Sequence, residues 1–416
     1  MTAVLHPQPA HHSVALLSER KHINLGEHRL SSIEGARRVI NDISSRRIVN
    51  KLTLSYNRLG DAGVVELFRY LRSPEGQKYR IEEIHLARND LGDDSLRAIS
   101  EYVKDNTSLK ELWLQANQFQ GEDSVVTQLA EAINSSHLEL LCFSSNVVPS
   151  DALISHLLDN LNSPTLHELQ FSNTRVTYAV VPHILSYISS PRCHLHTLRA
   201  SGNNLSTRGV RKIIDAIQAS NYTLLKVDLF ANDVANEKEK EEGDSDGEGE
   251  REWGKLVERL KKTLERNDYI RRQTEREAFT LLRHARAVLL HPPVSSSPTS
   301  PSSRLPMELQ LHILSFLAPH LSTSQRLRIF NFASNPTTLP RLLPTLQSQT
   351  QAADCIPDPA SPAFTGGLGM FGMVKPSGSS GCASGKCMGA GNSLICRREG
   401  ERLKWLAQVG CLSYEP

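Results

Sequence analysis

Residues 52–63 read LTLSYNRLGDAG and residues 84–94 read IHLARNDLGDD. In both, apolar residues alternate over three positions, an asparagine follows three residues after the second of them, and a Gly-Asp pair stands close behind. The alternation of Leu52 and Leu54 predicts a strand, because successive strand side chains point to opposite faces. From Asp61 onward Val64, Leu67 and Leu71 fall on one helical face. The unit is strand, turn, helix.

With the asparagine as register mark, the unit returns at Asn57, Asn89, Asn117, Asn146, Asn203 and Asn232, with His28 and Thr174 in the two remaining slots. The intervals from His28 are 29, 32, 28, 29, 28, 29 and 29 residues, and the long one holds the hydrophilic SPEGQKY of residues 73–79. A fixed period of this size predicts a solenoid, in which each unit buries its strand face and helix stripe against its neighbours. An asparagine where the chain leaves the strand can satisfy backbone groups that would otherwise be buried unpaired. Thr174 and His28 do this less completely, so those turns are predicted weak points.

The pattern LxLxxNxL followed by an amphipathic helix resembles the leucine-rich repeat of the ribonuclease-inhibitor class, which also contains the Ran GTPase-activating proteins. The resemblance covers about residues 22–290. It implies an α/β leucine-rich-repeat solenoid, a horseshoe of about eight units with a parallel concave sheet and convex helices, and function on the sheet face. If each LxL pair points inward, the residues between form an outward column: Asn24, Thr53, His85, Trp113, Cys142, Gln170, Arg199 and Asp228. A flanking column ends at Phe230. The neighbouring charges, Lys51, Glu83, Glu111, Glu168 and Lys226, are of both signs, which suits a protein-binding face better than a phosphate track. His85, Trp113, Gln170, Arg199, Asp228 and Phe230 are the candidate partner-binding residues. Trp113 stands out, although an indole there can equally serve to cover its neighbours. Cys142 has no base beside it and is read as a bystander thiol.

The text changes after Val234. Residues 237–252 hold nine acidic and three basic side chains, so a local charge of −6 leaves the rest near +8 of the overall +2. Such a run cannot bury apolar surface and is predicted disordered, an insertion over 235–252 between the last strand and its helix. Trp253, Leu256, Val257, Leu260 and Leu264 then predict that helix, and Ala278, Leu281, Leu282, Ala285 and Leu289 a second one capping the stack. Residues 1–21 read as a disordered leader and 291–304, HPPVSSSPTSPSSR, as a Pro/Ser linker.

LPMELQLHILSFLAP, residues 305–319, resembles the first helix of an F-box, with Leu305, Pro306, Glu308, Leu309, Ile313, Leu314, Phe316 and Leu317 in the pattern slots. A second helix over about 324–333 continues it. The family's third, Trp-containing basic segment is missing, since NPTTLPRLLP breaks there, and in the family the F-box normally precedes the repeats. The resemblance implies that residues 305–345 bind a Skp-type adaptor of a cullin ubiquitin ligase through Leu305, Pro306, Leu309 and Ile313. The competing reading is a plain docking hairpin whose apolar face folds back on the repeat array.

Residues 346–416 are a low-complexity tail holding Cys382, Cys387, Cys396 and Cys411. Their spacing, C-x4-C-x8-C-x14-C, lacks the paired CxxC of structural zinc sites and is read as reduced thiols. Residues 398–410 predict a short amphipathic helix. No cofactor or metal site is predicted. There is no GxxxxGK[ST], HExxH or GxSxG, so the chain is read as a non-enzyme. The first fifteen residues lack a secretory pattern and no run of eighteen apolar residues occurs, so cytoplasm or nucleus is expected, without membrane or nucleic-acid binding. Two functions of different class follow: an interaction scaffold, with the F-box-like helix joining it to an adaptor, or a regulator of a Ran-type small GTPase.

Overall fold

The computed structural model describes residues 21–146, 150–232, 246–290, 306–339 and 394–415. Eight strands form one sheet in sequential order: β1 His22–Asn24, β2 Lys51–Thr53, β3 Glu83–His85, β4 Glu111–Trp113, β5 Leu140–Cys142, β6 Glu168–Gln170, β7 Thr197–Arg199 and β8 Lys226–Asp228. Pairing is parallel and in register from β1 to β6, so Asn24, Thr53, His85, Trp113, Cys142 and Gln170 stand side by side as the repeat predicts. The chain is a leucine-rich-repeat solenoid. Sequential order follows from the short period, which leaves each strand only its immediate neighbour within reach.

The intervening helices are α1 Ser32–Ser44, α2 Gly60–Arg72, the one-turn α3 Pro74–Gln77, α4 Asp93–Val103, α5 Asp123–Ser135, α6 Ser150–Asn160, α7 Val181–Ile188 and α8 Ser206–Ser220. The extra turn α3 absorbs the one long interval: Pro74 opens it and Ser73 Oγ accepts the Gly76 N–H. Between sheet and helices Leu52, Leu54, Leu59, Val64 and Leu67 are fully buried, and Ile84, Leu86, Leu91, Leu96 and Ile99 repeat the set one unit on.

The asparagines do what their position requires. Asn57 Nδ2 donates to the carbonyls of Leu54 at 2.8 Å and Leu25 at 2.9 Å, and its Oδ1 accepts the Leu30 N–H at 2.9 Å. Asn203 likewise spans Ala200 O and Phe171 O and accepts from Thr174 and Val176. Each amide ties its own strand to the preceding one. The residue before each mark is held at positive φ, from 52° at Arg88 to 69° at Gly202, and only one of them is glycine. Such a conformation costs an L residue roughly 1–2 kcal/mol and persists because the asparagine bonds over-determine the turn. Thr174 Oγ1 reaches only Phe171 O and Asn203 Oδ1, and His28 Nδ1 reaches Gly26 O at an exposed turn. Thr174 Oγ1 thus makes no bond to the preceding strand among the described residues, and His28 follows the first strand of the sheet.

Two compact units divide the chain: Met1–His194 with Leu198–Val210 and Asp228–Ala235, and Leu195–Thr197 with Arg211–Val227 and Asn236–Pro416. In the second, the two helices expected between 253 and 290 are one continuous helix, α9 Asp246–Leu289. No proline or glycine interrupts residues 255–289, and Asn267, between the two expected apolar sets, is held inside the helix. Its Nδ2 donates to Leu224 O at 2.8 Å and Asn221 O at 3.2 Å, while Arg266 Nη1 donates to Gln218 O at 2.7 Å. These bonds satisfy carbonyls where α8 ends, groups that an unpacked helix terminus leaves to water.

α10 Met307–Ser315, α11 Thr323–Ser334 and α12 Leu394–Gln408 complete this unit. Ala278, Leu281, Leu282 and Ala285 of α9 pack with Leu314, Ile329, Phe330, Ala333, Trp405 and Leu406 in one core. Residues 398–410, assigned above to a low-complexity tail, thus belong to a folded core. α12 ends in a Schellman turn: Gly410 at φ 67° donates to Ala407 O and Cys411 N–H donates to Leu406 O. Arg328 Nε caps Val409 O at 2.8 Å, Gln325 Nε2 donates to Gly410 O at 2.8 Å, and Arg328 also pairs with Glu415. Cys411 is fully buried and burial pushes its thiol up to about 12, so it stays a thiol rather than a metal-ready thiolate. Cys382 and Cys387 lie outside the described residues, as do the 291–304 linker, the leader to residue 20 and the acidic run up to residue 245. Among the described residues no helix is long and apolar enough to cross a membrane.

Candidate functional site

Strand side chains between the inward leucines project from the sheet, and in-register parallel pairing sets equivalent residues about 4.8 Å apart. The most connected part of this face lies on β2, β3 and β4. Glu83 stands beside Glu111 in the pairing register. Lys51, its neighbour on the other side, forms an ion pair with Glu83. His85, two residues along β3, puts Nε2 3.6 Å from the same carboxylate. The His85 imidazole and the Lys51 ammonium hold the Glu83 carboxyl down to about 2, against the desolvation that acts to raise it.

Trp113 lies next to His85 with ring centroids 5.3 Å apart and planes inclined by 11°, a stacked pair. Its Nε1–H donates to Glu111 Oε2 at 3.0 Å. The indole therefore orders both a ring and a carboxylate on this face. On β1, His22 Nε2 lies 2.9 Å from Thr53 Oγ1, and burial together with Lys51 lowers its pKa.

Further along, Glu168 accepts Gln170 Nε2 at 2.7 Å and Arg199 Nε at 3.0 Å, and Arg199 Nη1 lies 3.4 Å from Asp228. Arg199 thus bridges two carboxylates. Phe230 is 55% exposed. The predicted set divides accordingly. His85, Trp113, Arg199 and Asp228 are half-buried members of charge and ring contacts, Phe230 stands open, and Gln170 is buried behind its bond to Glu168. Cys142 holds its place in the column but is buried, with burial raising its pKa, and offers no nucleophile. Tyr56, exposed and with the Arg88 guanidinium 5.4 Å from its ring centre, is a further open aromatic beside β2 that was not expected. It sits in the turn beyond the strand, where strand alternation gives no direction.

In the second unit, the F-box-like residues Pro306, Leu309 and Ile313 are exposed, at 48% and 52% for the latter two, and Phe316 at 69%. Leu314 turns inward to the core. Leu305 lies outside the described residues.

A family profile described as Leucine Rich repeat matches residues 49–68 and 81–100. The chain is 26% identical over 214 residues to the NACHT, LRR and PYD domains-containing protein 13 of Homo sapiens, covering 44% of this chain and 20% of that protein. It is 26% identical over 216 residues to the ribonuclease inhibitor of Sus scrofa, covering 45% of this chain and 47% of that protein. The chain therefore spans a fifth and about half of the lengths of these relatives.

Proposed function

We propose that this protein is a non-catalytic interaction scaffold whose sheet face binds a protein partner around His85 and Trp113. The observation that carries this reading is the stacked His85–Trp113 pair in a half-buried row that also holds Lys51, Glu83 and Glu111. A large ring held in place by its neighbours, ringed by charges of both signs, has the character of an interface hot spot. It loses little side-chain freedom on binding, because the ordering is already present in the free protein. The pig relative, similar over 216 residues, is by name an inhibitor of ribonuclease.

We further propose that α10 docks a Skp-type adaptor through Pro306, Leu309 and Ile313, continuing into Leu305. The exposure of Leu309, Ile313 and Phe316 supports this over the reading in which that face folds back on the protein. Purified full-length chain titrated with such an adaptor tests it, comparing parent with a Leu309→Ala, Ile313→Ala double variant. Both positions are exposed, so the fold is retained. Micromolar binding lost in the variant is expected, since truncating two interfacial aliphatics forfeits roughly 3 kcal/mol. No binding at tens of micromolar adaptor removes the ubiquitin-ligase part. Truncation after residue 290 would be a poor test, because it strips Trp405 and Leu406 from the core around Leu282. Recovery of a small GTPase on the sheet face would favour the second reading.

A further inference from the structure

The surroundings of Glu83 and Glu111 are unbalanced. Two carboxylates stand side by side on neighbouring strands, and like charges so placed repel. Lys51 compensates Glu83 alone, while Glu111 has the neutral indole N–H of Trp113 as its hydrogen-bond partner. Between them His85 Nε2 is buried from solvent with no partner within hydrogen-bond distance, its 3.6 Å approach to Glu83 being a charge contact that stabilises the carboxylate. A buried ring nitrogen without a partner gives up the hydrogen bond to water that it makes in the unfolded chain. Yet the ring is held in place by Trp113.

We propose that Glu83, His85 and Glu111 bind a divalent transition-metal cation, with Zn2+ as the representative ion. Their donor atoms, one imidazole nitrogen and two carboxylate oxygens, all lie within 4.8 Å of one another. Ligand distances of about 2.0–2.2 Å place neighbouring donors roughly 3.0–3.5 Å apart, so small rotations of the two flexible glutamates close the site. The donor set suits Zn2+ or Mn2+ better than Ca2+, which takes six to eight oxygens. Trp113 is a positioning residue here, since it stacks on one ligand and donates to another, the role of the outer shell in metal sites. Three protein ligands leave at least one coordination position for water or for a group brought by a partner. The cation would balance the carboxylate pair and give the orphaned nitrogen its partner, with the Lys51 ammonium displaced toward solvent. The inference does not depend on the proposed partner, because it concerns the free chain.

Purified full-length chain, stripped with a chelator, is titrated with Zn2+ by calorimetry and with Co2+ by electronic spectroscopy. The chain has seven cysteines and sixteen histidines, so the Co2+ spectrum is needed to separate thiolate sites, with their sulfur-to-metal charge-transfer bands, from this one. The expected result is one Co2+ bound without such bands, with quenching of tryptophan fluorescence that Zn2+ reverses. His85→Ala and Glu111→Gln should each weaken that component by at least about tenfold while the melting curve of the metal-free protein is kept. Lys51→Met, which removes the competing ammonium, should bind more tightly than the parent, a gain that misfolding cannot imitate. The proposal is overturned if no thiolate-free component appears, if the two ligand variants bind as the parent does, or if Lys51→Met binds no more tightly.

Discussion

The His85 imidazole and the Trp113 indole lie nearly parallel, 11° apart, on adjacent strands of the sheet. They meet because β3 and β4 pair in register, which sets residue 85 opposite residue 113. A 28-residue interval in the sequence therefore becomes a ring stack on the surface. The consequences of the repeat can be tested outside this site as well.

The asparagine bonds should dominate the stability of the array. Asn117 Nδ2 donates to Leu86 O and Leu114 O, and its Oδ1 accepts the Asn89 and Leu91 N–H groups. Asn117→Ala should cost about 2–4 kcal/mol, because it orphans buried backbone groups on two strands. Thr174→Asn should have the opposite sign, a gain of about 1 kcal/mol, by adding the missing bond to Phe143 O. Urea midpoints at constant m-value measure both.

The C-terminal helix should be structural. Leu406 is fully buried against α9 and α11, so Leu406→Ala should lose about 2–5 kcal/mol from the second unit. Hydrogen exchange should show the loss in the amides of residues 275–289 and 323–334. Unchanged protection there would mean that α12 contributes nothing to this core.

Acid should weaken the same unit through Glu415. Burial acts to raise its pKa, but the hydroxyls of Ser324 and Ser322 and the Arg328 guanidinium outweigh it and lower the value. A carboxyl with a folded pKa below its ordinary value of about 4.3 stabilises fully above that value. The contribution fades as pH falls through the folded pKa. Melting temperatures of parent and Glu415→Gln should differ at pH 7 and converge once the pH has fallen below the lowered pKa, and a constant gap would rule out the ionised pair as its source. The gap should be small, since the pair is partly exposed and screened.

The repeat was legible because its rules are local. Leu52, Leu54 and Asn57 carry strand, core and turn within six residues, and the spacing to Asn89 fixes which residues share a column. Three things were not legible. The Glu83–His85–Glu111 group needs contact between strands, although its trace, Glu-x-His followed by a glutamate at the same repeat position, is visible once the register is known. The helix at residues 394–408 could be read as a helix, but nothing near it says where it packs. Its partners on α9 lie more than a hundred residues back, beyond segments of quite different composition. The single helix over 246–289 was read as two because its apolar sets end at Leu264 and resume at Ala278, whereas between them the Asn267 amide bonds carbonyls at and beyond the end of α8.

The central claim is that the sheet face around Trp113 is where a protein partner binds. The most direct measurement is the affinity of a partner, first captured by the full-length chain and then purified, for three forms of the protein in the presence and absence of a chelator. These are the parent, Trp113→Ala, and Glu131→Lys on the exposed side of α5. Parent and Glu131→Lys should bind alike, and Trp113→Ala should lose about 2 kcal/mol or more, some thirtyfold, with an unchanged melting curve. A loss that chelator treatment of the parent reproduces would assign that part to the metal site and the remainder to the indole itself. Equal affinity of all three forms, or a loss confined to Glu131→Lys, would contradict the claim and move the binding surface off the sheet.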